Sequence, residues 1–252
     1  DGAGLEREAR RLLADPRARA QLGEFALQWL GAEAVATADK RADLFPDFDP
    51  PTRAALARET RAFAAHVVFD GGHTLGELLT ADYTILDPVA ARFYGVAAPT
   101  DPAGKVAYAD GRRAGVFGHA SVLASHAHSD QTSPIRRGLF VRRNLLCQAL
   151  PPPPAFAGGV PEVDPDATTR ERFEQHTTNA VCRGCHRFID GLGFGLEQFD
   201  PVGRWRTLDG GRPIDATGEL RDVERLGVGT SMPYATVPEL AALVAASDAA
   251  EA

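Results

Sequence analysis

HTTNAVCRGCHRFIDGLGFGLEQFDPVGRWR, residues 176–206, decides how the rest of this chain is read. Within it Cys182, Cys185 and His186 spell C-x-x-C-H. Two thiols at that spacing can add to the two vinyl groups of one porphyrin, and the adjacent histidine is then presented to the iron as proximal ligand. The pentamer also occurs in zinc sites and in thioredoxin-like dithiols. Zinc needs further ligands close by, and beyond this pair the chain has only Cys147 and distant histidines. A thioredoxin-like pair follows a strand and opens a helix, whereas here a helix is expected over 168–179, before the motif. A single c-type haem (haem c, iron) is therefore the leading expectation. A zinc site and a redox or inert dithiol stay open as alternatives.

The residues after the motif extend the haem reading. Phe188, Ile189, Leu192, Phe194, Leu196, Phe199 and Trp205 alternate with glycines, as an apolar shell that excludes water from a haem would, or as an ordinary core. Arg204, Trp205 and Arg206 carry donors suited to haem propionates, although surface arginines are commonplace. For the sixth iron position the candidate is Met232, the one methionine, in GVGTSMPYA (227–235), read as a loop closed by Pro233. His126 or His128 comes next, and an open site, as in a peroxidase- or oxygenase-like enzyme, comes third. His119, His126, His128 and Asp130 form a polar cluster that suits zinc or copper, or plain structural hydrogen bonding. His176 is read as supporting the motif from the approach helix.

Composition bounds the rest. The chain has 252 residues, 44% hydrophobic and 24% charged, which is globular composition. A net charge of -7 excludes a general nucleic-acid binder. No apolar run approaches the ~20 residues of a transmembrane helix. Three cysteines, two of them in one C-x-x-C, exclude a disulfide framework. Cys147, in FVRRNLLCQAL (140–150), is expected as a small buried hydrophobe on a helix. The opening DGAGLEREAR has no signal-peptide core, so the chain is expected to be an excised piece or to lack its targeting segment. P-loop, dinucleotide and G-x-S-x-G motifs are missing.

The first third reads as helical, with Leu5, Leu12, Leu13, Leu22, Phe25, Leu27, Trp29 and Leu30 at core spacing. Asp15-Pro16, Ser133-Pro134 and Asp87-Pro88 mark helix starts, the last helix ending at Tyr94-Gly95. A third helix is expected over 52–68 with Leu56, Thr60, Phe63 and Val67 on one face. Residues 96–114 read as a connection, and the helix opened by Ser133-Pro134 should run to Leu150. Asp209-Gly210 suggests a hairpin, and the last helix is expected over 237–246.

SPIRRGLFVRRNLLCQALPPPP, the stretch 176–206 and RPIDATGEL together resemble the planctomycete-type multidomain cytochrome family. LADPRARAQLGEFALQWL, FPDFDPPTRAALARET and ADYTILDPVAARFYG resemble the domain that precedes the haem-motif domain there. The resemblance implies an exported c-type haem protein with no settled substrate; the haem reading adds electron transfer with a redox partner protein and a periplasmic or otherwise exported setting. One departure is Gly191, where the family usually has proline after the I-D pair, and it leaves open which carbonyl fixes the His186 ring. The expected fold is mainly α. It comprises a helical N-terminal bundle over 1–95, a cytochrome c-like haem lobe over 113–208, and over 209–252 a small β-hairpin and the truncated start of a further domain.

Overall fold

The computed structural model describes residues 2–108, 110–148, 150–151, 162–164, 166–176, 180–223 and 230–247. In chain order these form α1 (Gly2–Leu13), α2 (Pro16–Trp29), a 3-10 turn (Ala32–Thr37), α3 (Pro50–Phe69), α4 (Leu75–Thr80), β1 (Tyr83–Ile85), α5 (Pro88–Tyr94) and β2 (Lys105–Ala107). There follow α6 (Ala120–Ser125), α7 (Pro134–Phe140) with a π-helical turn over Val141–Leu145, α8 (Thr169–His176) and α9 (Ala180–Phe194). The chain continues with β3 (Leu208–Asp209), β4 (Arg212–Pro213), β5 (Gly218–Arg221), β6 (Ser231–Tyr234) and α10 (Val237–Ala245). The fold is mainly helical, with three two-stranded antiparallel sheets among the described residues.

Four helices start with a capping residue followed by proline. Asp15, Asp49, Asp87 and Ser133 accept hydrogen bonds from first-turn amides of α2, α3, α5 and α7, and the next residue is a proline whose missing N–H costs nothing at that position. Gly95, with φ 70°, ends α5 in the left-handed conformation that only glycine adopts without strain. Leu56, Thr60, Phe63 and Val67 line the buried face of α3, against which α2 packs. α10 folds back onto α4.

Several expectations fail for identifiable reasons. α1 buries no residue, and Leu5, Leu12 and Leu13 are exposed, as is Phe25 of α2. Helical spacing marks an apolar stripe but does not guarantee that anything covers it. The helix opened by Pro134 stops at Leu145, five residues early. There Leu146 N–H closes on Val141 O, Gln148 N–H closes on Arg142 O, and Cys147 takes φ 51°. Cys147 is consequently exposed rather than buried. The stretch 96–114 contains β2, which pairs with β1 in a register of Tyr83 with Ala107. The β3–β4 turn is centred on Gly210 and Gly211, with φ 57° and 76°, one residue beyond the expected Asp-Gly. Met232 lies in a strand, opposite Leu220, not in a loop.

A largely buried polar network joins α3, β1 and α5 to the segment entering α6, with Tyr94 at its partly exposed edge. Thr84 Oγ1 and Tyr94 OH donate to the two oxygens of Glu59 at 2.9 and 2.6 Å, and the Ala120 amide donates to Tyr94 OH at 2.9 Å. His119 Nδ1 lies 2.9 Å from Thr60 Oγ1, its Nε2 lies 3.9 Å from Glu59, and Ser121 Oγ meets Thr60 at 2.6 Å. Burial pushes the Glu59 carboxyl up from 4.5 to about 7 and the His119 imidazole down from 6.5 to about 3. Near pH 5.5 the folded pair therefore holds its one proton on Glu59, whereas the unfolded chain holds it on His119. Proton uptake by the pair is then equal in both states between about 4.5 and 6.5, and its contribution to stability is flat there. Glu59→Gln leaves only the unfolded chain binding that proton. Its stability should rise with pH from about 3 to 6.5, by about 2 kcal/mol between pH 4.5 and 6.5 relative to wild type. Urea unfolding across this range checks it, and parallel curves for the two proteins would refute the assignment.

Candidate functional site

The site is built on α9. Residues three and four apart share one face of a helix, so Cys182, Cys185 and His186 project together, with Ile189 and Asp190 one turn on. Asp190 accepts from the ring: its oxygens lie 2.9 and 3.1 Å from His186 Nδ1. Asp190, on the next turn, thus holds the ring, a partner other than the carbonyl that Gly191 put in question. A His-x-x-x-Asp spacing on a helix was the available signal. Both cysteines are free thiols, neither fully buried nor fully exposed.

What holds α9 is α7, which crosses it at two glycines. A Cβ on Gly138 would fall 2.2 Å from Ile189 O, and one on Gly193 would fall 1.9 Å from Pro134 O. The backbones therefore touch where any larger residue would separate them. Arg142, in the π-helical turn, donates from Nε to Phe188 O at 2.8 Å and from Nη2 to Arg221 O, tying α9 to β5. Arg137 donates to Leu196 O at 2.8 Å, Phe199 O at 2.7 Å and Asp200 O at 2.7 Å, fixing the turn after α9. Gly191 serves the opposite side. Its carbonyl accepts from Tyr234 OH, and a Cβ there would press on Glu219 O at 2.8 Å. Glycine in place of proline at 191 lets β5 lie against the motif helix.

Beside the motif runs an open groove of about 890 Å³, lined from α9 by Arg183, His186, Arg187, Asp190 and Phe194, and from the β5–β6 side by Glu219, Arg221, Pro233 and Tyr234. Its size falls within the ~300–1,000 Å³ of cofactor pockets. Met232 does not line it. Met232 instead pairs with buried Leu220 in the β5–β6 ladder. Arg204 and Trp205 are also elsewhere. They line a separate cleft of about 520 Å³ against the N-terminal helices, where Arg204 pairs with Asp47 at 3.1 Å and stacks on Phe93. The histidine cluster disperses. His119 belongs to the buried network, and His126 Nε2 bonds Leu30 O at 2.9 Å while its ring stacks on Phe140. His128 lines a third cavity with Lys40. Ile189, Leu192, Leu196 and Phe199 are buried core, and Phe194 both packs and lines the groove. The side chain of His176 lies outside the described residues. Among the described residues no three of His, Cys, Asp and Glu gather as a metal-ligand set.

Residues 1–96 match a family model described as PSD4, protein of unknown function (DUF1592). Residues 113–209 match one described as PSCyt3, protein of unknown function (DUF1588). Both are domains of unknown function, found in multidomain cytochrome c-like proteins of planctomycete type. No curated protein and no solved structure matches the chain. The second match spans α7 and α9 together with the whole C-x-x-C-H segment, and the first covers the helical bundle.

The glycines of this region separate into two kinds. Gly138→Ala must force α7 and α9 apart and should cost about 3 kcal/mol. Gly184, inside the motif, has nothing within 4 Å of an added Cβ, so Gly184→Ala should stabilise the helix by about 0.5–1 kcal/mol. Chemical denaturation of the two variants should move the midpoint in opposite directions.

Proposed function

We propose that α9 carries one covalently attached c-type haem and that the chain serves one-electron transfer, as a module of a larger exported redox protein. The observation that carries this reading is the placement of Cys182, Cys185 and His186 on one face of α9, with the His186 ring held through Nδ1 by Asp190. Attachment is an addition: each sulfur bonds a vinyl carbon, the thiol hydrogen goes to the neighbouring carbon, and no oxidant or reductant is consumed. It requires free thiols, which Cys182 and Cys185 are. Bound there, the haem would supply a ferric/ferrous couple.

The chain's own residues do the rest. His186 would present Nε2 to the iron, and Asp190 would fix the ring's tautomer and raise its basicity. Phe194 and Tyr234 supply apolar wall to the groove, and exclusion of water is one of the levers on a haem's potential. His186 is the one axial ligand we assign. Because Met232 and His126 are placed away from this groove or bonded elsewhere, neither adds support to the reading. Attachment of this kind brings haem and reduced thiols together on the exported side of a membrane, so we place the parent protein in the periplasm or an equivalent compartment, exchanging electrons with a redox partner protein.

Protein matured in a host with c-type attachment machinery should keep its haem through a denaturing gel, and the Cys182→Ala/Cys185→Ala double variant should lose it. Wild-type protein of apo mass from such a host would end the proposal. Asp190→Asn should leave attachment intact and raise the midpoint potential by tens of millivolts, because a less basic imidazole stabilises the ferric state less. An unchanged potential would leave Asp190 with a purely helical role.

A further inference from the structure

Only two of the 27 lysines and arginines in the chain are lysines, Lys40 and Lys105. Lys105 is exposed, with its ammonium over the Tyr83 ring. Lys40 is held differently. Its Nζ donates to His128 O at 2.5 Å, and the side chain enters a cavity of about 380 Å³ that Arg136, His128 and Asp39 also line. Among the described residues no carboxylate lies within ion-pairing distance of it. Its charged neighbours are two arginines, Arg137 and Arg136, and two aspartates, Asp200 and Asp39.

We propose that Lys40 is a nucleophilic amine that captures small carbonyl compounds bearing a carboxylate, such as 2-oxo acids, with Arg136 receiving the carboxylate. The step is imine formation: Nζ bonds the carbonyl carbon, the C=O bond is replaced by C=N, and the oxygen leaves as water, with no change of oxidation state. The proposal is independent of the haem reading, since the cavity lies between the Ala32–Thr37 turn, α6 and α7 and shares no lining residue with the groove beside α9.

Three features make the amine suitable. Burial disfavours its charged form, and the guanidiniums of Arg137 and Arg136 on α7 disfavour it further, while Asp200 and Asp39 act weakly in the other direction. Together they push the ammonium down from 10.5 to about 7, so a large fraction is free base at neutral pH. Lysines desolvated or set beside another cation are the ones that form Schiff bases. Finally, Arg136 is itself exposed, and among the described residues its guanidinium makes one hydrogen bond, to Ala127 O at 3.2 Å, which leaves most of its planar fork for a carboxylate.

The two lysines provide an internal control. The full chain is treated at pH 7 with glyoxylate and cyanoborohydride, and adducts at Lys40 and Lys105 are followed by peptide mass spectrometry. Lys40 should be modified at least about tenfold faster, given an ordinary lysine near 10.4, and its rate should level off above a midpoint near 7. Formaldehyde, which carries no carboxylate, serves as the second probe. In Arg136→Gln the ratio of glyoxylate to formaldehyde rates at Lys40 should fall about tenfold. Modification of Lys40 no faster than Lys105 would overturn the nucleophile, and an unchanged ratio in Arg136→Gln would overturn the carboxylate site.

Discussion

Backbone contact between α7 and α9 is the constraint on which the rest of the lobe depends. At Gly138 and Gly193 two helices meet with no side chain between them, so the depth of α9 in the fold is set by peptide groups instead of adjustable rotamers. Everything that follows from the position of α9 inherits that rigidity. The face carrying Cys182, Cys185 and His186 is fixed, Asp190 falls one turn beyond the histidine, and the groove opens where β5 and β6 lean on Gly191. The proposed attachment of a planar group to one helix would gain from such a support, because small displacements of that face could not be absorbed elsewhere.

Two buried arginines finish the frame by an unusual route. Arg137 and Arg142 spend most of their donors on main-chain carbonyls of the segment after the motif and of β5, rather than on carboxylates. Glu197 stands 3.6 Å from Arg137 and also accepts from Arg206 and Thr132, offsetting part of the arginines' charge. A planar guanidinium can satisfy several carbonyls at once, here adding to the turn bonds that Leu196 O and Asp200 O already accept from the Phe199 and Gly203 amides. Removing either arginine would strip these buried carbonyls of a charge-assisted donor, which costs more than losing one surface ion pair.

Much of this was legible in the sequence, and the failures have physical causes. Helix starts were legible because Asp-Pro and Ser-Pro pairs act locally, through one capping oxygen and one missing N–H. The C-x-x-C-H motif was legible but the helix that carries it was not: a helix was expected over 168–179, ahead of the motif, whereas α9 (Ala180–Phe194) contains it. Burial was less legible. Leu5, Leu12 and Cys147 follow local rules and are nevertheless exposed, since exposure depends on what packs against a face from afar. Arg204 and Trp205 follow the motif closely in sequence, yet the turn fixed by Arg137 carries them to the far side, against Phe93 and Asp47. Short strands such as β1 and β2 were missed because three residues carry too little alternation to announce a pairing. Lys40 gave no signal at all, because what singles it out is its surroundings.

The buried network around Glu59 and His119 carries a consequence for how the molecule comes apart. Its members come from both of the matched segments, with Tyr94 near the end of one and His119 and Ala120 near the start of the other. A cut made between them would expose a carboxyl and an imidazole that are buried in the intact chain, and would strip each of its acceptors and donors. The seam between two evolutionary units is thus no mechanical joint. Pulled from its ends or proteolysed in the connecting stretch, the chain should yield as one cooperative body, and recombination that shuffles one unit without the other must bring its own way of closing that polar wound.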